Sequence, residues 1–189
     1  MSATARDLGR TAWDGAEAAA LVAIGTGLLL LRASVHGAPV PLVFAGIYAV
    51  LFVQSVSAAD CVEGPAPLSR GLVMAVGVAA VTLTAVLGGP HIPLVVGSVG
   101  LGLNVAAAIS EEAFFRRFIY GRLLGLGVPA AIAGSALLFA LVHVPFYGWV
   151  AFWVDLGAGL LLSWQRWASG GWTAPAATHA AANLLAALR

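Results

Sequence analysis

Charged residues are scarce in this sequence, and lysine is absent. Only 9% of the 189 residues are charged, whereas 61% are hydrophobic. A soluble domain carries about 25% charged residues because its surface faces water, so a water-soluble fold is excluded. Apolar runs long enough to cross a hydrocarbon layer of about 30 Å recur along the chain. The sequence therefore predicts an integral membrane protein whose solvent is the lipid bilayer.

Other scarce features narrow the possible functions. The single cysteine, Cys61, excludes an internal disulfide and a cysteine-based metal cluster. A net charge of +1 argues against a nucleic-acid partner, since such partners are bound through many basic residues. The chain has no G-x-S-x-G motif and no H-E-x-x-H motif, which argues against a serine nucleophile elbow and excludes a zincin-type helix.

The apolar runs predict an all-α, polytopic transmembrane helical bundle of about seven spans in a single integral membrane domain. Helices are favoured because backbone groups in lipid must be hydrogen-bonded within the protein. The predicted spans are Ala16–Leu31, Val40–Ala58, Gly71–Leu87, Ile92–Leu124, Ala130–Tyr147, Trp149–Trp167 and Thr173–Leu188.

The placement of arginine predicts the orientation of this bundle. With seven spans, seven arginines fall on the side of the N-terminus, and only Arg32 and Arg189 fall on the other side. Because cytoplasmic loops carry an excess of basic residues, we expect a multi-pass protein of the bacterial cytoplasmic membrane with a cytoplasmic N-terminus.

One short stretch, Ser110–Arg122, is rich in charge and contains two glutamates and three arginines. Residues four apart share a helix face, and an acid before a base is the favoured order, so we expect an ion pair between Glu112 and Arg116. Glu111 lies about 100° further round the helix and has no local partner. An unpaired carboxylate inside a span is a candidate functional residue.

A second polar signature, Phe139-x-x-x-His143, occurs in the next span. The midpoint between Glu111 and His143 is Gly127, in the break between the two spans. If the two spans form an antiparallel hairpin that turns at Gly127, the carboxylate and the imidazole lie at the same depth. That arrangement suits the shared activation of a water molecule.

The third signature, His179-x-x-x-Asn183, places two polar side chains on one face of the last span, among alanines that permit close helix packing. At about 1.5 Å per residue, the seven residues from Trp172 put His179 about 10 Å beneath the side of the N-terminus, at a depth similar to that of Glu111. The three signatures are therefore expected to meet between the last four helices.

This set of residues suits hydrolysis. We expect Glu111 to act as the general base, His143 to help hold the water, and His179 and Asn183 to donate hydrogen bonds to the oxyanion. No cofactor is expected. The alternative is a divalent metal such as zinc, bound by Glu111, His143 and His179 with one open position for water.

The ordered motifs E-E-x-x-x-R, F-x-x-x-H and H-x-x-x-N resemble those of the CPBP family, which comprises CAAX prenyl endopeptidases of the Ras-converting type and the related bacterial Abi proteins. The resemblance covers residues 92–189, a catalytic core, whereas residues 1–91 carry N-terminal helices without a matching motif. It implies a glutamate-dependent intramembrane endopeptidase in which Glu112, held by Arg116, and Phe139 support the site. Members are also described as metalloproteases, so the metal alternative stays open.

Two other functions are compatible with the same pocket. One is a non-catalytic membrane protein that binds a peptide or bacteriocin and confers immunity. The other is a proton-coupled transporter, which the lack of an inverted repeat disfavours. For the protease, the partner is a membrane-associated protein or peptide, and a prenylated CAAX tail, a bacteriocin leader and a C-terminal sorting signal are all compatible with the sequence.

Overall fold

The computed structural model describes residues 5–35, 40–58, 66–87 and 97–188, without the side chains of residues 5–14 and Ser98. Cys61, Ile92 and Arg189 lie outside this part. Every element within it is helical, which confirms the all-α class. The α-helices are α1 Ala5–Leu31, α2 Val40–Ser57, α3 Arg70–Val86, α4 Ser98–Glu112, α5 Tyr120–Leu123, α6 Val128–Ser169 and α7 Thr173–Ala187. Short 3-10 turns cover Arg32–Ser34 and Leu124–Leu126, and a π-helical segment covers Ala113–Ile119.

Three helical stretches are long and apolar enough to cross a membrane, namely Gly15–Ser34, Val40–Ser57 and Val128–Ser169. Helix α3 is apolar but shorter. These helices, which expose many large apolar side chains, identify a membrane protein. The count of seven spans remains a prediction.

Two glycines with left-handed backbone angles fix the turns of the second half of the chain. Gly127 has φ 98° and precedes α6, whose first turn contains Pro129. The hairpin expected at this glycine is therefore confirmed. Gly148 has φ 76° and ψ 176° inside α6 and divides that helix into two parts. The break predicted between Tyr147 and Trp149 is thus present, and the two parts of α6 pack against each other, since a Cβ at Gly159 would lie 3.0 Å from Ala136 Cα. A residue without a Cβ adopts the conformation of Gly148 at little cost.

The apolar core lies where the first two helices meet the π-helical segment and α6. Its largest members are Phe114, Phe115, Phe118 and Phe139, which pack with Leu29 and Leu51. Close approach of α1 depends on Gly25, since a Cβ there would overlap the Phe114 ring. The core thus docks the N-terminal helices on the segment that follows the two glutamates.

Helix α7 is held in place by a buried polar contact with α3 and α6. The Gln165 side chain donates to the Val73 carbonyl at 2.8 Å and to the Thr178 hydroxyl at 2.9 Å. Before α7 begins, Trp172 already packs against Phe52 of α2, with ring centroids 6.3 Å apart. The start of α7 is therefore packed against α2.

Candidate active site

The two adjacent glutamates end α4 and are both buried: Glu111 is 3% exposed and Glu112 is fully buried. The π-helical segment begins at the next residue, Ala113. Single π turns are rare and frequently occur at functional sites, because the extra residue changes the direction of the side chains around it. The sequence contains no signal that separates this π turn from an α-helix.

Glu112 forms the ion pair that the sequence predicts. Arg116 Nη1 lies 2.9 Å from Glu112 Oε1, and neither side chain is exposed. Arg116 Nη2 also donates to the Gly159 carbonyl of α6 at 3.2 Å, and its guanidinium carbon lies 4.4 Å from the centroid of the Phe139 ring. The pair therefore ties the π-helical segment to both parts of α6, with the Phe139 ring packed against the guanidinium group.

Glu112 has a second partner that sequence reasoning missed. His179 Nδ1 lies 2.9 Å from Glu112 Oε1. Since a carboxylate only accepts hydrogen bonds, Nδ1 is the donor. The sequence predicts an oxyanion donor at His179 and pairs Glu112 with Arg116 alone. In the structure the two residues are joined, so Glu112 also sets the orientation of the imidazole.

Glu111 and His143 lie at the same level, as the hairpin at Gly127 predicts. Glu111 Oε2 is 3.7 Å from His143 Nε2. His143 Nδ1 lies 2.7 Å from the Phe139 carbonyl, which can only accept, so Nδ1 carries a proton. In the neutral imidazole the other nitrogen, Nε2, is then a hydrogen-bond acceptor. In that state, a carboxylate oxygen and a ring nitrogen face each other as two acceptors.

Glu111 also has an ion-pair partner, contrary to the unpaired state expected from its local sequence. Arg32 Nη1 lies 2.6 Å from Glu111 Oε1. Arg32 follows α1 and was placed on the side of the membrane away from the site, at a different depth from Glu111. The contact puts Glu111 level with the end of α1, so the two residues do not differ in depth as the sequence predicts. The side of the membrane on which Arg32 lies, and the depth of about 10 Å for the site, stay predictions.

Asn183 lies one turn after His179 and is connected to α4. Its side-chain Nδ2 donates to the backbone carbonyl of Asn104 at 3.0 Å. One amide hydrogen is used in this way, and the second remains for another acceptor. The contact holds the face of α7 that carries the third motif against α4.

These side chains share one cavity of about 710 Å³. All four predicted catalytic residues line it: Glu111, His143, His179 and Asn183. The rest of the lining is mainly apolar and includes Trp153, which is 72% exposed, so the cavity reaches the surface of the protein. A volume of this size lies within the usual range of about 300–1,000 Å³ for ligand pockets.

Sequence reasoning did not assign Asp155 to the site. It is 7% exposed and lines the same cavity, and its Oδ2 has no hydrogen-bond partner among the described residues. An aspartate inside an apolar span is compatible with an arginine partner or with a water-filled groove. The structure favours the groove. A lone aspartate within an apolar span was the only available signal.

The predicted metal alternative involves Glu111, His143 and His179. Within the described residues, no three His, Cys, Asp or Glu side chains are grouped so that they could hold a metal ion. His179 directs Nδ1 to Glu112 and His143 directs Nδ1 to a carbonyl, which leaves Nε2 of each ring for another partner. The metal alternative stays a prediction, and no chemical step is assigned to a metal.

Comparison with known families identifies the class of protein. Residues 93–185 match the family described as type II CAAX prenyl endopeptidase Rce1-like. This match, over just under half of the chain, supports the CAAX prenyl protease family that the three motifs predict. The family is one of proteases, and the match includes every residue of those motifs but neither Arg32 nor Tyr48. No curated protein and no solved structure matches the chain.

Proposed function

We propose that the protein is an intramembrane endopeptidase that hydrolyses a peptide bond of a membrane-associated protein or peptide. The observation that carries this proposal is the pair of acceptors on the cavity wall, Glu111 Oε2 and His143 Nε2, 3.7 Å apart. A water molecule that donates one hydrogen to each would be held in a fixed orientation. Membership of a protease family supplies the reaction class.

In the proposed reaction Glu111 is the general base. It takes a proton from the water held with His143 while the water oxygen attacks the carbonyl carbon of the substrate. The tetrahedral intermediate then collapses, the C–N bond breaks, and Glu111 returns its proton to the leaving amine. The products are a new carboxylate and a new amine, and the enzyme regains its starting protonation state.

The developing oxyanion would be stabilised from α7. Asn183 has one amide hydrogen beyond the one that it gives to the Asn104 carbonyl. His179 uses Nδ1–H for Glu112, so it donates through Nε2 only when both ring nitrogens carry protons. Asn183 can donate to the oxyanion whether or not both nitrogens of His179 carry protons. Glu112, Arg116 and Phe139 act by holding these groups in place.

The substrate would enter a mainly apolar cavity from the surface near Trp153. Apolar side chains flanking the cleaved bond, or a lipid-modified segment, suit such a lining, because burying them gains about 25 cal/mol per Å². A prenylated CAAX tail, a bacteriocin leader and a sorting signal all share this chemistry.

The experiment compares the peptide termini in cells that carry the wild type, Glu111→Gln or Glu17→Gln at matched expression. Glu17 is exposed on α1, so its change is a control with the same loss of charge. We expect termini that are present with the wild type and Glu17→Gln but absent with Glu111→Gln. Identical termini in all three would contradict the protease, and a phenotype that persists would then favour peptide binding or immunity.

The same cleaved peptide provides a test of metal dependence. We propose that the reaction needs no metal, because the described residues form no ligand group. Cleavage by the purified protein should continue in the presence of a strong chelator of divalent cations. Loss of cleavage with the chelator, and its recovery on addition of zinc, would contradict a purely glutamate-based reaction.

We also propose a multi-pass protein of the bacterial cytoplasmic membrane with a cytoplasmic N-terminus. Arg32, Arg116 and Arg166 are buried and do not count as loop charges, but the remaining arginines still favour that side. Leu126, at the hairpin turn, is 75% exposed. In a Cys61→Ala background, Leu126→Cys should resist an impermeant thiol reagent in intact cells and react in lysed cells. Labelling of Leu126→Cys in intact cells would show that this turn faces the outside of the cell and would contradict the proposed orientation.

A further inference from the structure

Arg32 contacts the proposed base although it lies outside the family match at residues 93–185 and carries no recognised motif. It is 9% exposed and lines the cavity. The lining residues include no other arginine or lysine. A buried arginine costs a great deal of free energy unless it is paired, so its position opposite Glu111 calls for a specific role.

Two further helices fix the position of the guanidinium group. Arg32 Nη1 donates to the Tyr48 hydroxyl of α2 at 3.0 Å. The guanidinium carbon lies 4.9 Å from the centroid of the Phe146 ring, just before the break at Gly148 in α6. Because α2 and α6 both restrain it, Arg32 offers Glu111 a donor in a fixed position.

This contact divides the two oxygens of the Glu111 carboxylate between two tasks. Oε1 accepts from Arg32 at 2.6 Å, and Oε2 faces His143. With Oε1 anchored, the carboxylate can turn little about its last bond, and Oε2 stays directed at the position of the water. Without Arg32, Glu111 would be a buried carboxylate with no arginine or lysine contact, which favours rotation towards new partners or uptake of a proton.

We infer that Arg32 is a positioning residue for the reaction proposed above: it keeps Glu111 ionised and aims Oε2 at the water that His143 shares. It acts through Glu111 and does not touch the reacting bond. The site is therefore incomplete without the first two helices, although the family match begins at residue 93. The inference rests on the proposed function for its kinetic consequence, but not for its effect on the state of Glu111.

The kinetic test compares Arg32→Gln, Arg32→Lys and the control Arg117→Gln on a peptide that the wild type cuts. Arg117 also joins two elements, since its Nη1 donates to the Ser55 and Ala58 carbonyls, but it does not line the cavity. We expect Arg32→Gln to lower kcat by about 10²-fold, the scale of a misplaced catalytic group, with KM little changed. Arg32→Lys should recover part of kcat, and Arg117→Gln should keep it even if its unfolding temperature falls.

Equal kcat values for the wild type and Arg32→Gln would overturn the inference while leaving the protease intact. A loss of kcat that is equal for Arg32→Gln and Arg117→Gln, and that follows their unfolding temperatures, would also overturn it. In that case Arg32 would contribute to stability only.

A second measurement does not depend on cleavage. Hydrophobic carbodiimides modify protonated carboxyl groups, and mass spectrometry locates the modified residue. Glu111 should resist modification in the wild type and in Arg117→Gln but react in Arg32→Gln. Such labelling supports the inference even if no peptide is ever cut. A Glu111 that is equally unreactive in all three proteins, or equally reactive in all three, would contradict it.

Discussion

The helices before and after residue 97 differ in what they bury. Of the fifteen buried polar or charged residues in the described part, thirteen lie within 97–188, and the other two are Arg32 and Ser55. In the apolar 18-residue window of Gly15–Ser34 only 11% of the residues are buried, against 39% in that of Val128–Ser169. The N-terminal helices thus expose mainly apolar surface, whereas the C-terminal helices surround a polar interior. Arg32 is an exception, because it belongs to the N-terminal region but its side chain contacts Glu111 in the polar interior of the C-terminal region.

The largest expected difference between the two regions concerns arginine. Arg116→Gln removes the cation from a fully buried ion pair and leaves Glu112 without it, which should lower the free energy of unfolding by about 3–5 kcal/mol. Arg70→Gln, at the exposed start of α3, should cost about 0.5 kcal/mol or less. Reversible unfolding in a mild detergent measures both. Equal losses of unfolding free energy in the two variants would contradict a larger contribution of the buried ion pair to stability.

The next largest effect concerns two polar residues that line the cavity from different regions. Asn183→Ala should lower kcat by about 10²–10³-fold if its amide stabilises the oxyanion. Thr84→Ala, from the N-terminal region, should change kcat less than about twofold, because the hydroxyl that it removes donates within its own helix, to the Ala80 carbonyl at 2.9 Å. The measurement is the initial rate over a range of peptide concentrations. A kcat that is little changed in Asn183→Ala would contradict a role of Asn183 in stabilising the oxyanion.

The smallest effect tests how the regions are joined. A Cβ at Gly25 would overlap the Phe114 ring and lie 2.6 Å from Gln54 Nε2, whereas one at Gly27 meets nothing within 4 Å. Gly25→Ala should therefore destabilise the protein by about 1–3 kcal/mol. Gly27→Ala, half a turn away, should cost nothing. The two variants compared in the same unfolding assay check this, and equal stabilities would place α1 away from the core.

The contacts that the sequence predicts are those set by short separations or by a turn. Glu112 and Arg116 pair because they are four residues apart, and Glu111 meets His143 because Gly127 turns the chain midway between them. The contacts of Glu111 with Arg32 and of Glu112 with His179 join residues 79 and 67 positions apart. They depend on where α1 ends and where α7 starts relative to the other helices. No local pattern encodes those positions, and an arginine at the end of an apolar span is usually read as an interfacial charge.

The central claim is that Glu111 acts as the base on a water shared with His143. The most direct test is the rate of peptide cleavage by the purified protein in lipid, with Glu111→Gln compared with the wild type and with Glu17→Gln. We predict that Glu111→Gln lowers kcat by about 10²–10⁴-fold, the usual contribution of a general base, while Glu17→Gln leaves kcat unchanged. A Glu111→Gln protein that cuts the peptide at the wild-type rate would contradict the account.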